Sequence, residues 1–410
     1  MNLIPLYIDP GTGSALFSIV IGIAAVSYFL FRTIILKVKV ILFRQKQPTL
    51  SRQQYVIYGE DKRYWPFFEP ILAEFEARQT EVHYLTCSED DPVFSAAYQY
   101  VKGKYIGEGN RAYAYLNFLS ADFVLATTPD LEVLQWKRSK AVKHYCHMLH
   151  MISGSMTYRL FSLDFYDSIL LSGENEIPEI RYLETIRQLP AKQLVVAGNT
   201  FYDRNVEKIK GIAAEEDHPF TVLVSPSWGA SGLLKVYGER LLDPLVETGW
   251  RVIIRPHPQS AIVEKALIER LTERYKDRKN VEWDYHHENI YSLSKSDVMI
   301  SDFSGIIYDY IFLFDRPVLL SLSTMDLRPY DAHDLKEEPS YFRISKTIGR
   351  ELNEANFGTI KEVINESLHN AVLLEGREEA KRVMWQHRGE AGKRIVDFMV
   401  ETVNRGNNKS

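Results

Sequence analysis

Residues 298–321, VMISDFSGIIYDYIFLFDRPVLLS, decide the fold. The run Val298 to Ser301 is short and mostly apolar, as a buried strand is, and the turn Asp302 to Gly305 leads directly into an apolar helix over Ile306 to Phe314. A second apolar run follows at Pro317 to Ser321. This succession of strand, helix and strand is typical of a parallel sheet built from βαβ units, so we expect an α/β fold.

The same alternation extends in both directions from this stretch and falls into two series separated by the charged linker Lys208 to His218. Two series of βαβ units predict two Rossmann-like domains with a cleft between them. The first series has apolar runs at Gln54 to Tyr58, Val82 to Leu85, Phe123 to Thr127, Val142 to His147, Ile169 to Ser172 and Leu194 to Ala197. The second has them at Thr221 to Ser225, Arg251 to Arg255, Val281 to Trp283, Asp297 to Ser301 and Pro317 to Ser321.

These patterns set four predicted regions. The first domain is expected over residues 48–215 and the second over residues 216–375, each of a size usual for one domain. Residues 376–410 are expected to close the chain, with one charged amphipathic helix from Arg377 to Val403 packing back on the body. Residues 1–47 precede both domains.

That first region predicts a membrane anchor. Residues Ala15 to Phe31, ALFSIVIGIAAVSYFLF, carry no charge and are long enough for one transmembrane helix. Basic residues follow the span and none precedes it, so the positive-inside rule places the body of the chain in the cytoplasm. The alternatives are a buried core helix and a cleaved signal peptide. A signal peptide needs a basic start and a small-residue cleavage site, whereas the start MNLIPLYIDPGTGS has an acidic residue and two prolines.

The composition excludes other classes of protein. Of 410 residues, 45% are hydrophobic and 25% charged, as in an ordinary globular protein, which argues against disorder. The formal net charge of -5 gives no general attraction to nucleic acid, so we expect no nucleic-acid partner. The two cysteines, Cys87 and Cys146, form no CxxC motif and no disulfide framework, which favours a reducing compartment.

Four loops at predicted strand ends are candidates for chemistry. They are HMLHMISGS (147–155), SPSWGASG (225–232), RPHPQS (255–260) and SDFSG (301–305). Because the carboxyl ends of parallel strands meet at one edge of a sheet, we expect these loops to border the cleft between the domains.

The loop SDFSG is predicted to bind phosphate. It joins a strand directly to a helix, so Ser301, Ser304 and the first helix amides face an anion there. Asp302 and Gly305 complete the predicted site. The alternative is a capped helix, in which Ser304 or Asp302 only satisfies backbone amides.

Two other loops are assigned to the same donor. In SPSWGASG, Gly229 permits close approach of a ligand and Ser227 offers a hydroxyl, although the loop lacks the Gly-Lys-Ser/Thr ending of a Walker motif and an ordinary glycine turn is the alternative. In RPHPQS the prolines stiffen the loop, so that Arg255 pairs with phosphate oxygens and His257 donates to them or transfers a proton. A purely structural histidine is the alternative.

The loop at residues 147–155 carries the candidate bases. His147 or His150 is predicted to act as general base on an acceptor hydroxyl, since imidazole titrates near neutral pH. Ser153 and Ser155 are possible acceptor contacts or a second base. A metal pair is the alternative, but no third ligand stands at a recognisable spacing, and we expect no metal site.

Taken together and in this order, the four loops resemble the CDP-glycerol glycerophosphotransferase family of teichoic-acid primases and polymerases. The resemblance spans residues 140–375 and is strongest in RPHP and in SDFSGIIYDYIFLFDRPVLL (301–320), which is similar to the family's Ser/Thr-Asp-Tyr-Ser-Ser block and the helix that follows. It implies a GT-B-like fold whose first domain binds the acceptor and whose second binds the nucleotide donor, with no tightly bound cofactor.

The resemblance also implies roles for single residues. His150 matches the histidine of the Trp-His-Gly-Thr motif, a proposed base, and His257 matches the histidine of the His-Pro motif. Ser301, Asp302 and Ser304 match the phosphate-binding block. Two departures concern the donor: Met151-Ile152-Ser153 replaces Gly-Thr-Pro after His150, and Gly305 replaces a second serine.

The expected function is transfer of glycerol phosphate, or of a related alditol phosphate, from CDP-glycerol or a similar donor to a lipid-linked acceptor. The chain is expected at the bacterial inner membrane as a single-pass protein in cell-envelope biogenesis, as a homo-oligomer or within a synthesis complex. The alternatives are a GT-B glycosyltransferase that uses a nucleotide sugar and a non-catalytic envelope protein that binds a nucleotide or glycan.

Overall fold

The structure is a computed structural model of the chain, and it describes residues 21–24, 26–35, 38, 52–150, 152, 154–212, 218–286, 288–321 and 325–408. Of the predicted membrane span, residues 15–20 and 25 lie outside the described residues, while residues 21–24 and 26–35 are helical. Within the part of the chain described, no helix is both long and apolar enough to cross a bilayer.

The first domain is built on a seven-stranded parallel sheet in the order β3-β2-β1-β4-β5-β6-β7. The strand order reverses between β1 and β4, the point at which ligands bind in sheets of this kind. The strands are β1 (Gln53–Gly59), β2 (Val82–Thr86), β3 (Val101–Tyr105), β4 (Ala121–Ala126), β5 (Val142–Met148), β6 (Ser168–Leu171) and β7 (Gln193–Val196).

The second domain repeats this arrangement in a six-stranded parallel sheet, in the order β10-β9-β8-β11-β12-β13. The strand order reverses between β8 and β11, whose following loops are SPSWGASG and SDFSG. The strands are β8 (Thr221–Val224), β9 (Arg251–Ile254), β10 (Val281–Trp283), β11 (Val298–Ser301), β12 (Val318–Leu320) and β13 (Gly349–Glu351). The α/β prediction with parallel sheets is therefore confirmed.

The helices cover both faces of the two sheets. In the first domain they are α1 (Trp65–Ala77), α2 (Asn110–Leu116), α3 (Ile177–Ile186) and α4 (Thr200–Lys210). In the second they are α5 (Leu233–Val236), α6 (Glu239–Glu247), α7 (Ser260–Val263), α8 (Lys265–Tyr275), α9 (Ile290–Lys295), α10 (Ile306–Phe314), α11 (Ser340–Ile348), α12 (Ile360–Leu368) and α13 (Ala371–Met384), and α14 (Ala391–Asn407) ends the described chain. Short 3-10 helices lie at Lys62–Tyr64, Pro92–Phe94, Ser155–Thr157, Asp331–Asp334 and Phe357–Thr359.

Helix α4 joins the domains. Asn199 caps its start by accepting a hydrogen bond from the N–H of Tyr202, the usual role of asparagine before a helix. Phe201 stacks on Phe67 of the first domain with ring centroids 4.8 Å apart. The Tyr202 hydroxyl donates to Asp309 of α10 at 2.8 Å, and its ring lies in the core of the second domain. One helix is thus packed on both sides of the cleft.

The end of the chain differs from the single helix expected between Arg377 and Val403. Two helices, α13 and α14, are separated by residues 385–390, where Trp385 is buried and Gly389 has a φ of +80°. The helix is interrupted here because the Trp385 ring is buried and because Gly389 has a left-handed backbone conformation. The final helix then packs its apolar side on the first domain, beside α1 and β4.

Two short edge strands were not predicted from the sequence. In β3 only Val101 is buried, and Lys102, Gly103 and Lys104 are exposed, so its pattern is that of an edge strand protected by charge. Strand β13 has the sequence Gly-Arg-Glu and carries no apolar run at all. Neither segment contains the apolar signal by which strands are recognised.

Candidate functional site

A cleft of about 450 Å³ lies where the carboxyl ends of the two sheets face each other. It is lined from the first domain by His150 and from the second by Arg255, His257, Ser304 and Gly305. Five of the predicted site residues, from three separate loops, therefore meet in one cavity, of a size suited to a small-molecule ligand.

His150 is partly exposed in this cleft, directly after strand β5. Its Nδ1 lies 3.3 Å from the hydroxyl of Tyr158, and the rings of Tyr64 and Phe67 contact its imidazole edge to face. Burial among these rings lowers the pKa of His150 to about 4, opposed by a hydrogen bond with the backbone of Thr127. The imidazole is therefore neutral near pH 7 and able to accept a proton.

His257 is held by its own loop. The backbone N–H of Gln259 donates to Nδ1 of His257 at 3.1 Å, so in the neutral ring the proton resides on Nε2. Burial lowers the pKa of His257, and the carboxylate of Glu264 opposes that shift. The geometry thus leaves Nε2–H as a donor for an anionic ligand in the cleft.

Arg255 has a buried partner. Its Nη1 donates to Asp284 at 2.6 Å and its Nη2 to the carbonyl of His286 at 2.6 Å. Both side chains are almost fully buried, with 9% of the arginine side chain and 5% of the aspartate exposed. The guanidinium is consequently fixed in one orientation at the cleft wall, which reduces the entropic cost of binding a ligand there.

The loop SDFSG has two buried residues, Ser301 and Asp302, and two residues that line the cleft, Ser304 and Gly305. Ser301 is fully buried and its Oγ donates to the carbonyl of Ser225 at 2.6 Å. Asp302 is also fully buried and accepts from the N–H groups of Ser227, Leu233 and Ser304. Burial raises the pKa of Asp302, and these hydrogen bonds oppose the shift. The structure therefore places Ser301 and Asp302 behind the cleft wall, where they join the loops that follow β8 and β11.

Ser304 and Gly305 face the cleft at the start of α10. No side chain caps this helix, and its first residue is Ile306. Free N–H groups at a helix start, together with the positive end of the helix dipole, favour an anion at this position.

The remaining predicted residues lie farther from the cavity. Ser227 donates its hydroxyl to Asp302 at 2.9 Å, and Gly229 adopts a φ of +92° with open space around it. His147 is fully buried between the rings of Tyr158 and Tyr166, and burial lowers its pKa to about 3. A fully buried imidazole cannot reach an acceptor, so the geometry favours His150 as the base.

Ser153 and Ser155 were the other candidates in the loop at residues 147–155. Ser155 is buried and donates both its N–H, at 2.6 Å, and its hydroxyl, at 2.5 Å, to Glu176. Ser153 lies outside the described residues, so its predicted role stays a prediction. In the described part of the chain, no group of three or more His, Cys, Asp or Glu side chains is arranged to hold a metal ion.

Several cleft residues were not predicted, because they lie in helices or just before a helix and not in the four strand-end loops. Helix α4 contributes Asn205 and Lys208, and the segment before α9 contributes Asn289. Asp309 of α10 lies on the cleft wall one turn after Gly305. The helical spacing of Tyr202, Asn205 and Lys208 on one face of α4 is a signal that the sequence carries, but it does not show which face meets the cleft.

The lining of the cleft carries four cationic side chains, each held by a carboxylate. Four cationic side chains, Arg63, Arg204, Lys208 and Arg255, line the cavity, against two carboxylates. Each of the four is also paired, as Lys208 is with Glu288 at 2.5 Å. These pairs fix the positions of the cations around the cavity.

Comparison with known proteins agrees with this site. Residues 200–401 match the family model of CDP-glycerol:poly(glycerophosphate) glycerophosphotransferase, a region that contains every cleft residue of the second domain. The matched region contains three of the four loops that carry the resemblance, at 225–232, 255–260 and 301–305, and supports the assignment to transferases of the CDP-glycerol glycerophosphotransferase type. The loop at 147–155 lies outside the matched region. No curated protein sequence matches the chain.

Solved structures share the fold over most of the chain. The wall teichoic acid polymerase TagF superposes with a TM-score of 0.53 at 12% identity, covering 92% of this chain and 98% of its own. The MnaA–UDP complex of S. aureus gives 0.57 at 14% identity, with 86% and 97% covered. UDP-GlcNAc 2-epimerase from Neisseria meningitidis, bound to UDP-GlcNAc, gives 0.53 at 14%, with 85% and 100% covered. At these identities the likeness shows the GT-B-like fold alone.

Proposed function

We propose, for a chain whose residues 200–401 match the glycerophosphotransferase family, that it transfers glycerol phosphate or a related alditol phosphate from a CDP-activated donor to an acceptor hydroxyl. The acceptor is a membrane-linked molecule of cell-envelope polymer synthesis. One observation carries the proposal: His150 of the first domain lines the same cleft as Arg255, His257 and the open start of α10.

In the proposed reaction the acceptor oxygen attacks the phosphorus that bears the alditol. A new phosphorus–oxygen bond forms to the acceptor, and the bond from that phosphorus to the bridging pyrophosphate oxygen breaks. CMP leaves with the electron pair of the broken bond. His150 accepts the proton of the acceptor hydroxyl, which it can do because its lowered pKa keeps the ring unprotonated near pH 7.

The second domain stabilises the charge of the pyrophosphate. Nε2–H of His257 and the fixed Arg255 guanidinium donate to its oxygens, and the start of α10, which no side chain caps, adds the field of the helix dipole. Phosphoryl transfer depends mostly on positioning and charge stabilisation, which such groups provide without a tightly bound cofactor.

The location of the enzyme belongs to the same proposal. The apolar residues Ala15 to Phe31, followed by basic residues, support a single-pass protein of the bacterial inner membrane with its cleft in the cytoplasm. Such an anchor keeps the cleft close to a lipid-linked acceptor. Assembly as a homo-oligomer or in an envelope-synthesis complex, and the absence of nucleic acid from the function, remain predictions.

The test is a transfer assay on the full-length chain in detergent with CDP-[14C]glycerol and a lipid-linked acceptor. We expect labelled lipid and one CMP per transfer, loss of both in His150→Ala, and CMP binding unchanged in that variant by calorimetry. His333→Ala, which alters an exposed histidine outside the cleft, is the control. Binding of UDP- or GDP-sugars in preference to CDP-glycerol would instead identify a glycosyltransferase, and nucleotide binding without turnover a non-catalytic protein.

A further inference from the structure

One carboxylate in the cleft has no part in the proposed reaction. Asp309 is partly exposed to the cavity, and its two oxygens accept hydrogen bonds from the hydroxyl of Tyr202 at 2.8 Å and from the amide of Asn289 at 3.1 Å. Both donors are neutral, and Asp309 forms no ion pair with any described residue. Burial raises the pKa of Asp309 to about 6, opposed by these hydrogen bonds, so the group is mostly ionised at pH 7.

A second polar side chain without a hydrogen-bond partner among the described residues lines the same cleft. Asn205 follows Tyr202 by one turn of α4, lines the cleft and is only 7% exposed. Its amide makes no hydrogen bond to the residues that the structure describes. The amide is therefore available to hydrogen-bond with a ligand or solvent in the cleft.

The side chains of Asn205 and Asp309 do not suit a phosphate. An ionised carboxylate repels a phosphate oxygen, whereas it accepts well from a hydroxyl. Asn205, one turn of α4 after the Tyr202 that donates to Asp309, offers both a donor and an acceptor in the same cleft. Two adjacent hydroxyls, each donating or accepting, match this pair of side chains, as a vicinal diol does in an alditol or a ribose.

The position of Asp309 fits such a group next to the phosphate. It lies four residues after Gly305 on α10, which is about 6 Å along the helix axis from the open helix start. A diol attached to a phosphate bound at the helix start is therefore within reach of the carboxylate.

We infer that Asn205 and Asp309 form a diol-binding subsite that selects a donor carrying vicinal hydroxyls. The inference rests on the proposed function, which places a nucleotide-activated donor in this cleft. Two parts of such a donor carry a vicinal diol: the alditol that is transferred and the ribose of the nucleoside.

Calorimetry on the full-length chain tests the subsite with four probes: CDP-glycerol, CDP-propanol, which lacks both alditol hydroxyls, CMP and 2′-deoxy-CMP. If the alditol occupies the subsite, the wild type binds CDP-glycerol about tenfold or more tighter than CDP-propanol, as expected for hydrogen bonds to a charged group. Asn205→Ala and Asp309→Asn bring that ratio close to one, while their affinity for CMP is unchanged.

The other probes identify the ribose as the source. In that case the wild type prefers CMP over 2′-deoxy-CMP, and the two variants lose this preference. Asn404→Ala, an exposed asparagine on α14, is the control and keeps the wild-type ratios. Asn205→Ala removes no internal hydrogen bond, so its melting temperature is expected to equal that of the wild type.

Two results separate the failure of the inference from the failure of the function. If the wild type binds CMP and CDP-glycerol but both variants keep the wild-type ratios for both pairs of probes, the diol subsite is wrong and the proposed function stands. If the wild type binds no cytidine nucleotide, the proposed donor is wrong, and the subsite that rests on it is wrong with it.

Discussion

The carboxylate of Asp302 accepts hydrogen bonds from both the backbone N–H and the hydroxyl of Ser227, at 2.9 Å each. Two further N–H groups, of Leu233 and Ser304, donate to the same carboxylate at 2.8 and 3.1 Å. A single buried side chain therefore holds together the two loops that border the switch point of the second sheet.

Removal of this carboxylate is expected to destabilise the protein. Asp302→Ala leaves buried N–H groups without acceptors, at about 1–3 kcal/mol for each unsatisfied group. We expect a loss of about 3 kcal/mol in the free energy of unfolding in urea. Asp326→Ala, which breaks an exposed pair with Arg328, is the control and should change the stability by less than about 0.5 kcal/mol. Wild-type stability in Asp302→Ala, with donor binding lost, would show direct contact with the ligand instead.

The pKa of His150 predicts the pH dependence of transfer. A base with a pKa of about 4 in the free enzyme is unprotonated from about pH 5 upward, so kcat/KM should stay level between pH 5.5 and 7 and fall only below about pH 5. An anionic donor favours the protonated form, so the acid limb of kcat should lie at higher pH than that of kcat/KM. Steady-state rates from pH 4.5 to 8 measure both. An acid limb of kcat/KM near 6.5 would contradict the buried environment of His150.

Arg255 is expected to matter for stability as well as for binding. Arg255→Ala leaves Asp284 buried without its cation, which costs about 3–5 kcal/mol, whereas the double variant Arg255→Ala with Asp284→Asn should recover part of this loss. Urea unfolding of the single and double variants gives the coupling. Donor affinity should remain low in the double variant, because the guanidinium itself is absent. Additive losses of stability in the double variant would disprove the coupling.

Glu176 predicts how stability changes with pH. Burial raises its pKa to about 7 in the folded protein, opposed by the two hydrogen bonds from Ser155. The folded state therefore binds more protons than the unfolded state between about pH 4.5 and 7, and this group makes the protein less stable as the pH rises through that window. Glu176→Gln keeps an acceptor for Ser155 and removes the titration.

We expect Glu176→Gln to raise the free energy of unfolding by up to about 3 kcal/mol at pH 8 and to change it little at pH 4.5. Urea unfolding at the two pH values measures the difference. The neighbouring Glu174→Gln, which alters an exposed carboxylate, serves as the control. Equal effects of Glu176→Gln at both pH values would mean that Glu176 does not titrate in this range.

Gly173 tests the contact between the domains. A Cβ at this position would lie 2.1 Å from the carbonyl oxygen of Val383, at the end of α13, so Gly173→Ala has to push that helix away from the first domain. We expect a loss of about 1–3 kcal/mol or more in stability, measured by thermal unfolding. Gly358→Ala, where a Cβ meets nothing within 4 Å, should leave the melting temperature within about 2 °C. A normal melting temperature for Gly173→Ala would show that the interface is loose.

The sequence predicted the central strands and the loops after them because those strands are apolar throughout, as in Val298 to Ser301. It did not predict β3, because the exposed Lys102 and Lys104 interrupt the apolar pattern by which a strand is recognised. It also did not predict the break at Trp385, since a charged helical pattern continues through residues 385–390 at the level of the sequence.

The site was predictable where a loop motif marks it, as with His257 and Ser304. The sequence could not separate residues that face the cleft from residues that support it, because Ser301 and Ser304 lie in the same motif and only their burial distinguishes them. Asn205 and Asp309 line the same cleft only because α4 packs on α10, and the spacing of residues along the chain does not predict that packing.

The last helix of the chain, α14, completes the core of the first domain with Ile395, Phe398 and Met399. During synthesis that domain is therefore left with an open apolar face until the second domain has already emerged from the ribosome. Nascent chains that stop anywhere before residue 391 lack this cover, so the first domain completes its core only after the second domain has been synthesised.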